Sequence, residues 1–196
     1  MMITAEKLRR YYLEDKLSSS EIAKKLKCSA SGVNYWLLRY SIPKRNISDA
    51  IYYKRNPKGD PFSAKLPQTT QEGFLHGLGI GLYWGEGNKR NTNSLRLANT
   101  DPRLIKKYIE FLRSAYCIDE NKLKFGLQVF GSVDGKEALN FWIKSLGFQR
   151  KQFQKIVHIA KRGTGTYKHS AKYGVLIVYF NNKKLRDLIC QTIEKL

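Results

Sequence analysis

The segment spanning residues 71–87 restricts the possible folds of this chain more than any other. It reads QEGFLHGLGIGLYWGEG, and within it Gly77, Gly81 and Gly85 recur at every fourth position. That spacing places the three glycines on one face of a helix, although glycine inside a helix costs about 1 kcal/mol relative to alanine. Close approach of another helix backbone is the packing reason that would explain them. The pattern predicts a helix that packs through its glycine face.

The end of this predicted helix carries one acidic residue. Glu86 ends the helix, and Gly87 is a typical residue just beyond a helix C-terminus. A carboxylate is unfavourable at the negative end of a helix dipole, and a divalent cation would offset the repulsion. The three cysteines and three histidines are scattered without zinc-ligand spacing. Because carboxylate ligands favour Mg²⁺ over zinc, we expect Mg²⁺ or another divalent cation there.

The net charge predicts a polyanionic partner. The chain has 36 lysines and arginines against 16 aspartates and glutamates, a formal net charge of +20. The polyanion that binds such a basic protein is most often nucleic acid. A ribosome-like or merely soluble basic protein, or a surface for anionic lipid, is the alternative. No window approaches the ~18 apolar residues of a membrane span, and the charged N-terminus lacks a signal-peptide core. We expect a cytoplasmic protein, nucleoid-associated in a prokaryote, with no membrane contact and reduced cysteines.

A cluster of breaker residues divides the chain. Residues 56–61 read NPKGDP, and Pro67 follows shortly after. We expect a helical domain at 1–45, a linker at 46–70 that is partly helical, and a larger domain at 71–196. Residues 1–60 carry 13 basic and 6 acidic residues, and residues 61–196 carry 23 and 10. Both parts are basic, so both are expected to touch the same polyanion.

The N-terminal part resembles the helix-turn-helix motif over residues 17–38. Capping serines precede two short amphipathic segments, small Ala23 lies where the helices would cross, and Val33 and Trp36 are apolar anchors. Lys27 and Cys28 stand where many family members have a turn glycine. The alternative is a three-helix unit that binds protein or nothing. The resemblance implies DNA contacts at Ser29, Ser31, Asn34, Tyr35, Lys44 and Arg45.

The larger part alternates between strand and helix patterns. Apolar and polar residues alternate over 94–98 and 122–129, and residues 152–161 and 173–180 are two further strand candidates. Helical patterns cover residues 102–117, 134–146 and 182–195. This order predicts an α+β fold with an antiparallel sheet and packed helices.

Residues 79–87, GIGLYWGEG, resemble the LAGLIDADG motif of homing endonucleases. Gly81, Leu82 and Gly87 match identically, Gly85 replaces a small alanine, and Glu86 takes the position of the catalytic acid. The first aspartate of the motif is replaced by tryptophan. The strand and helix at 94–116 and the closing segments at 172–196 also fit. The resemblance therefore covers about residues 71–196.

This resemblance implies a fold, an activity and a partner. The family's antiparallel sheet is saddle-shaped and lies in the major groove of double-stranded DNA, which the enzymes cleave with divalent metal ions. A single motif supplies one metal carboxylate, whereas double-strand cleavage needs two. The resemblance therefore implies a homodimer on a near-palindromic site, joined through Gly77, Gly81 and Gly85.

Basic and amide residues complete the implied site. From residue 138 to residue 186 the chain has eleven lysines and arginines and no acidic residue, whereas a solvated face normally mixes both signs. Such a run indicates phosphate contacts. The implied metal ligands are Glu86 and Gly85, and the supporting catalytic candidates are Gln128, Lys168 and Lys172. The candidate DNA contacts are Lys89, Arg90, Arg96, Lys124, Gln128, Lys155, Lys161, Arg162 and Lys168.

Two other functions share this charge and fold. Some bacterial regulators pair a degenerate LAGLIDADG domain with a helix-turn-helix and cut nothing, and RNA maturases bind intron RNA. The retained Glu86 favours cleavage. We therefore expect a site-specific DNA endonuclease, with a non-cleaving DNA-binding regulator as the alternative and an RNA maturase as the third possibility.

Overall fold

The computed structural model describes residues 3–131, 133–160 and 172–196. The chain divides into two compact units, Met1–Asp60 and Pro61–Leu196, and the division falls inside the NPKGDP cluster. The architecture mixes helices with one four-stranded sheet, and the described strands all belong to the second unit. Within the described ranges, no helix is long and apolar enough to cross a membrane.

The first unit consists of short helices around a small apolar core. A capping box begins the second helix, because Ser18 Oγ accepts from the Glu21 amide while the Glu21 carboxylate accepts from the Ser18 amide. The Ser18 hydroxyl and the Ser18 amide both donate to the Glu21 carboxylate, and these two hydrogen bonds lower the pKa of Glu21. The helices are α1 (Ala5–Arg9), continued by a π-helical turn (Arg10–Glu14), α2 (Ser19–Leu26), α3 (Ala30–Arg39) and α4 (Ile47–Arg55). The core residues are Ile3, Leu8, Tyr12, Ile22, Ala23, Leu26, Val33, Leu37 and Ile42.

The connection from α2 to α3 contains a left-handed residue that is not glycine. Lys27 adopts φ 53° and ψ 44°, a conformation that costs an L-residue roughly 1–2 kcal/mol. This is the place where the sequence departs from the turn glycine of helix-turn-helix proteins. Lys27 therefore adopts a left-handed conformation that glycine would adopt without strain.

Arg45 joins the end of the first helical segment to the chain that follows α3. Its guanidinium donates to the carbonyl oxygens of Tyr12, Lys16 and Leu17 at 2.5 to 2.8 Å. The guanidinium carbon also lies 4.3 Å from the centroid of the Tyr12 ring. Hydrogen bonds from a charged donor are about twice as strong as neutral ones. The donors that we expected to contact DNA at Arg45 are thus engaged by the protein's own carbonyl oxygens.

Replacing Arg45 with alanine should destabilise the first unit by about 3 kcal/mol, because three carbonyl oxygens lose a charged donor. Lys44→Ala is the matched control, because Lys44 is the exposed neighbour and its loss should cost less than about 0.5 kcal/mol. Hydrogen exchange of the α2 and α3 amides in the full chain measures both effects. Equal protection in the two variants would contradict a structural role for Arg45.

The second unit is an α+β fold in which helices cover one face of the sheet. The strands lie in the order β1-β4-β2-β3. In β1, β2 and β4 the buried residues largely alternate with partly exposed ones, so one face packs on the core and the other, here called the outer face, carries the partly exposed residues. The elements are α5 (Thr70–Glu86), β1 (Leu95–Asn99), α6 (Pro102–Tyr116), β2 (Leu123–Phe130), α7 (Gly135–Leu146), β3 (Val157–Ile159), β4 (Val175–Phe180) and α8 (Lys183–Glu194).

The prediction of a purely antiparallel sheet is wrong at β3. The pairs β1–β4 and β4–β2 are antiparallel, but β2 and β3 are parallel, because α7 connects them and a helical crossover returns the chain in the same direction. The strand is also shorter than the predicted 152–161. A 3₁₀ turn forms at Arg150–Gln152, where the Gln152 side chain donates to the carbonyl oxygens of Glu120 and Leu123 at 2.8 and 3.3 Å.

The two helices α5 and α6 approach each other at a glycine that the regular spacing does not include. A Cβ added at Gly79 would lie 1.9 Å from a ring carbon of Phe111, which is on α6. At Gly77, Gly81 and Gly85 an added Cβ meets nothing within 4 Å among the described residues. The regular glycine row therefore faces away from the described core of its own chain, and Gly79 provides the helix contact inside it.

Candidate nucleic-acid interface

Glu86 lies at the C-terminus of α5, beside the edge of the sheet. It is exposed, and the next residue, Gly87, forms an antiparallel bridge with Leu97 of β1. The Asn88 amide donates to the Arg96 carbonyl oxygen at 2.8 Å. A Cβ at Gly87 would lie 2.3 Å from a backbone carbonyl oxygen of α5, so only glycine permits this close passage. The passage onto β1 determines where Glu86 sits.

A lysine meets the negative end of α5. The Lys89 ammonium donates to the carbonyl oxygen of Trp84, and the Arg186 guanidinium donates to the Lys89 carbonyl oxygen at 2.7 Å. The chain therefore supplies part of the positive charge that we expected a metal ion to supply at this helix end. The Arg186 contact comes from α8, so α8 holds the loop that follows Glu86.

The chemistry of this helix end fits a hard cation, but one chain does not complete a site. Glu86 and the Gly85 carbonyl offer the oxygen ligands that Mg²⁺ prefers. Among the described residues there is no group of three His, Cys, Asp or Glu side chains that could hold a metal ion. A complete coordination shell would need ligands from elsewhere, such as water, substrate phosphate or a second copy of the chain.

Buried aromatic residues lie near the C-terminal end of α5. Tyr83 stacks on Tyr108 of α6 with the ring centroids 6.3 Å apart. Burial raises the pKa of Tyr83 to about 12, so this phenol remains neutral at physiological pH. The Tyr108 hydroxyl and Arg186 Nε are buried without a hydrogen-bond partner in the part of the chain that the structure describes. Tyr83, Tyr108 and the Nε atom of Arg186 are thus buried behind the loop that follows Glu86.

The outward face of α5 is apolar and open. Phe74 and Trp84 are 72% and 54% exposed, and the helical period places them on the same face as Gly77, Gly81 and Gly85. Contiguous exposed apolar groups on a soluble protein mark an interaction surface. Because the glycines have no side chains, a partner helix can approach this face closely. We call these five residues the glycine face.

The outer face of the sheet carries three predicted polar residues, Arg96, Lys124 and Gln128. Arg96, Tyr179 and Lys124 lie side by side on β1, β4 and β2. Gln128 follows on β2, with Val175 as its partner on β4. All five are partly exposed. Basic and amide side chains of this kind are the ones that bind phosphates and base edges in nucleic-acid complexes.

The other predicted residues of the second unit are dispersed. Lys172 precedes β4 and its ammonium lies 5.1 Å from the Tyr173 ring centroid; a hydrogen bond to Tyr173 raises the pKa of Lys172. Arg90 and Lys155 are exposed. The candidates outside the described residues are Lys161, Arg162 and Lys168.

In the first unit the candidates divide between surface and structural positions. Ser31 and Lys44 are exposed, and Tyr35 is 55% exposed. Ser29 Oγ caps α3 by accepting from the Gly32 amide at 3.0 Å. Asn34 Oδ1 accepts from Ser19 Oγ at 3.0 Å and so links α3 to α2. The exposed candidates for base or phosphate contact are therefore Ser29, Ser31, Tyr35 and Lys44. Ser29 also caps α3, whereas Asn34 and Arg45 are partly buried and bind other parts of the unit.

The sequence did not predict a role in the site for four residues: Tyr179, Gly126, Ser94 and Arg186. Tyr179 and Gly126 lie in correctly predicted strands. The Tyr179 ring packs over Gly126, and this contact depends on the β2–β4 register, which hydrophobic periodicity does not determine. The usable signal for Tyr179 was an aromatic residue at a half-exposed strand position in a basic protein. Arg186 was visible only as one cation of the acid-free run.

Comparison with known proteins found no match for the chain among protein families, curated proteins or solved structures. The function therefore has to be inferred from the residues themselves. The features available for that inference are Glu86 at the end of α5, the glycine face and the outer face of the sheet.

Proposed function

We propose that this chain is a site-specific double-stranded DNA endonuclease of the LAGLIDADG type, active as a homodimer with Mg²⁺ or another divalent cation. The observation that carries the proposal is the position of Glu86, an exposed carboxylate at the end of a helix whose glycine face is open. Two copies that pack α5 against α5 would bring two Glu86 carboxylates together, because Glu86 directly follows Gly85. The resemblance at residues 79–87 supports this arrangement.

In this proposal each chain contributes half of the catalytic groups. Glu86 and the Gly85 carbonyl would hold the divalent ions, which activate water and stabilise the leaving oxygen when bound. Bringing two helix C-termini and two carboxylates together creates repulsion. The Lys89 ammonium on the Trp84 carbonyl oxygen reduces that repulsion and so favours the pairing of the two helix ends.

The DNA-binding part of the proposal rests on the outer face and the first unit. Arg96, Lys124 and Gln128 would enter the major groove, since arginine and amide side chains read base edges there. The exposed α3 residues Ser31 and Tyr35 would contact a flanking segment in the manner of a helix-turn-helix. Such an enzyme would act where genomic DNA is accessible, in the cytoplasm or nucleoid.

Replacing Gly81 with alanine should stabilise the monomer but weaken the homodimer. The added methyl group meets nothing within 4 Å among the residues that the structure describes, and it raises helix stability by about 1 kcal/mol. Between two closely packed helices it costs about 1–3 kcal/mol as overpacking, which weakens dimerisation roughly 5- to 150-fold. Sedimentation of the full chain across a concentration series measures this. If Gly81→Ala stabilises the protein without changing its self-association, the glycine face does not join two copies.

A non-cleaving DNA-binding regulator is the second candidate. The observation that favours it is the Lys89 ammonium at the α5 terminus, where it neutralises the helix end without a metal ion. In that case Glu86 would be a surface residue, and the homodimer would bind DNA through the same outer face. The two candidates differ only in strand cleavage, so binding data alone do not separate them.

The test uses a library of randomised duplexes. Selection of bound duplexes in chelator, followed by addition of Mg²⁺, should enrich a near-palindromic site and then release cut products from it. Matched intron-like RNA should compete poorly at the same salt concentration. Enrichment without any Mg²⁺-dependent product would leave the regulator, and RNA that displaces the selected duplex would favour the maturase.

A further inference from the structure

We infer that Arg96 reads a guanine base in each half of the bound site, and that Ser94 and Tyr179 orient its guanidinium before DNA arrives. This inference rests on the proposed function, because it requires the outer face to lie in the major groove of duplex DNA. It goes beyond that function by assigning one base contact to one side chain. The observations come from both sides of the guanidinium.

A buried polar relay holds one edge of Arg96. Arg96 Nε donates to Ser94 Oγ at 2.8 Å, and Ser94 is only 1% exposed. The Ser94 hydroxyl in turn donates to Asn91 Oδ1 at 3.1 Å, which also accepts from the amides of Ser94 and Asn93 at 3.0 Å. A hydroxyl has a single proton to donate. Because Asn91 takes that proton, a lone pair of Ser94 Oγ is left for Arg96.

The Arg96 guanidinium also lies over an aromatic ring. The Arg96 guanidinium carbon lies 5.1 Å from the Tyr179 ring centroid. The Tyr179 ring lies over β2 at Gly126, where an added Cβ would be 2.8 Å from Cε2 and 3.0 Å from the hydroxyl oxygen. Glycine thus provides the space in which the ring lies. Stacking on an aromatic ring leaves the in-plane N–H groups of a guanidinium available.

The remaining donors of Arg96 match guanine. Ser94 engages Nε, so the two terminal nitrogens of the guanidinium are the remaining donors. In the part of the chain that the structure describes, neither of these nitrogens has a hydrogen-bond partner. Guanine presents O6 and N7 as two adjacent acceptors in the major groove, and bidentate arginine is its commonest specific contact. Orienting the side chain in advance reduces the entropy lost on binding.

Lys124 provides the internal comparison. It lies in the same row, on the other side of Tyr179, but its ammonium is a point charge on a flexible stem. Such a group binds phosphate without reading sequence. A guanidinium can also bind phosphate with two hydrogen bonds, so the experiment has to separate a base contact from a phosphate contact at Arg96.

The test compares sequence preference in the full chain and three variants by selection from randomised duplexes. Arg96→Lys keeps the charge but loses the fork, so it should abolish a guanine preference at one position per half-site and weaken binding of the selected site about 10- to 100-fold for each half-site. Ser94→Ala should reduce the preference at that same position only. Lys124→Ala should weaken all sequences alike and lower the salt slope by about 1 per chain, and so by about 2 for the homodimer.

The outcomes separate this inference from the proposed function. If Arg96→Lys weakens every sequence equally and each position keeps its preference, Arg96 contacts phosphate and the inference is overturned while duplex binding stands. If the wild-type chain enriches no duplex at all, the proposed function fails and the inference fails with it. A loss of preference confined to one guanine position in both Arg96→Lys and Ser94→Ala supports it.

Discussion

Replacing Glu86 with glutamine should leave binding of the selected duplex unchanged and slow its cleavage about a thousandfold. The substitution removes the one carboxylate at the end of α5 but none of the lysine and arginine contacts that determine affinity. Metal-ion stabilisation of the reacting phosphate contributes several kcal/mol, and each 1.36 kcal/mol is a factor of ten in rate. Single-turnover cleavage with excess protein and Mg²⁺ measures this loss without interference from product release.

Glu72→Gln is the matched control for this variant. Glu72 is an exposed carboxylate on the same helix, in the capping box at its first turn, and glutamine also serves in such a box. We expect the control to cut at the wild-type rate. Equal rates for Glu86→Gln and wild type would remove Glu86 from the mechanism, and a loss of binding in Glu86→Gln would mean that its effect is not catalytic.

Replacing Gly79 with alanine should lower the free energy of unfolding of the second unit by about 2 kcal/mol. The new Cβ would enter the Phe111 ring, and a fully buried ring in a close-packed core has little space to move into. Overpacking of this kind typically costs 1–3 kcal/mol and occasionally more, and the helix propensity of alanine returns about 1. Urea denaturation of the full chain, followed by tryptophan fluorescence and by α5 hydrogen exchange, gives the value.

Gly73→Ala is the control for helix propensity. Gly73 is on the same helix, exposed, and an added Cβ there meets nothing within 4 Å. It should therefore raise the free energy of unfolding by up to about 1 kcal/mol. Were both alanine variants equally stable, the close contact between α5 and α6 would not be the reason for glycine at position 79.

The sequence predicted best the features that depend on residues within one short segment, such as hydrophobic periodicity and helix capping. The predicted helix over 71–87 is observed as α5, Thr70–Glu86, because its capping residues and apolar run act within one segment. The alternation predicted over residues 94–98 and 122–129 likewise appears, displaced by one residue, as β1 (Leu95–Asn99) and β2 (Leu123–Phe130). Gly87 correctly predicted that the helix ends at Glu86, but Gly87 is extended, with φ −73°, and not left-handed as in a typical glycine cap. The structural requirement for glycine there is its close passage over the Tyr83 carbonyl oxygen.

Contacts between distant segments could not be predicted in this way. Gly79 lies between the regularly spaced glycines, and only the path of α6 explains it. The direction of β3 depends on a crossover through α7. In the sequence Arg45 is one of many basic residues, and its three carbonyl partners are apparent only in the structure. The apposition of Arg96, Tyr179 and Gly126 needs the strand register, which is a property of the folded chain.

The central claim is that two copies of this chain cut both strands of one duplex, and the positions of new DNA ends test it most directly. Sequencing the ends produced from the selected duplex after addition of Mg²⁺ should reveal one break per strand, placed symmetrically about the centre of the site. The same complex should contain two chains per duplex by native mass. Fully bound duplex without Mg²⁺-dependent ends, or a single chain per duplex, would contradict the claim.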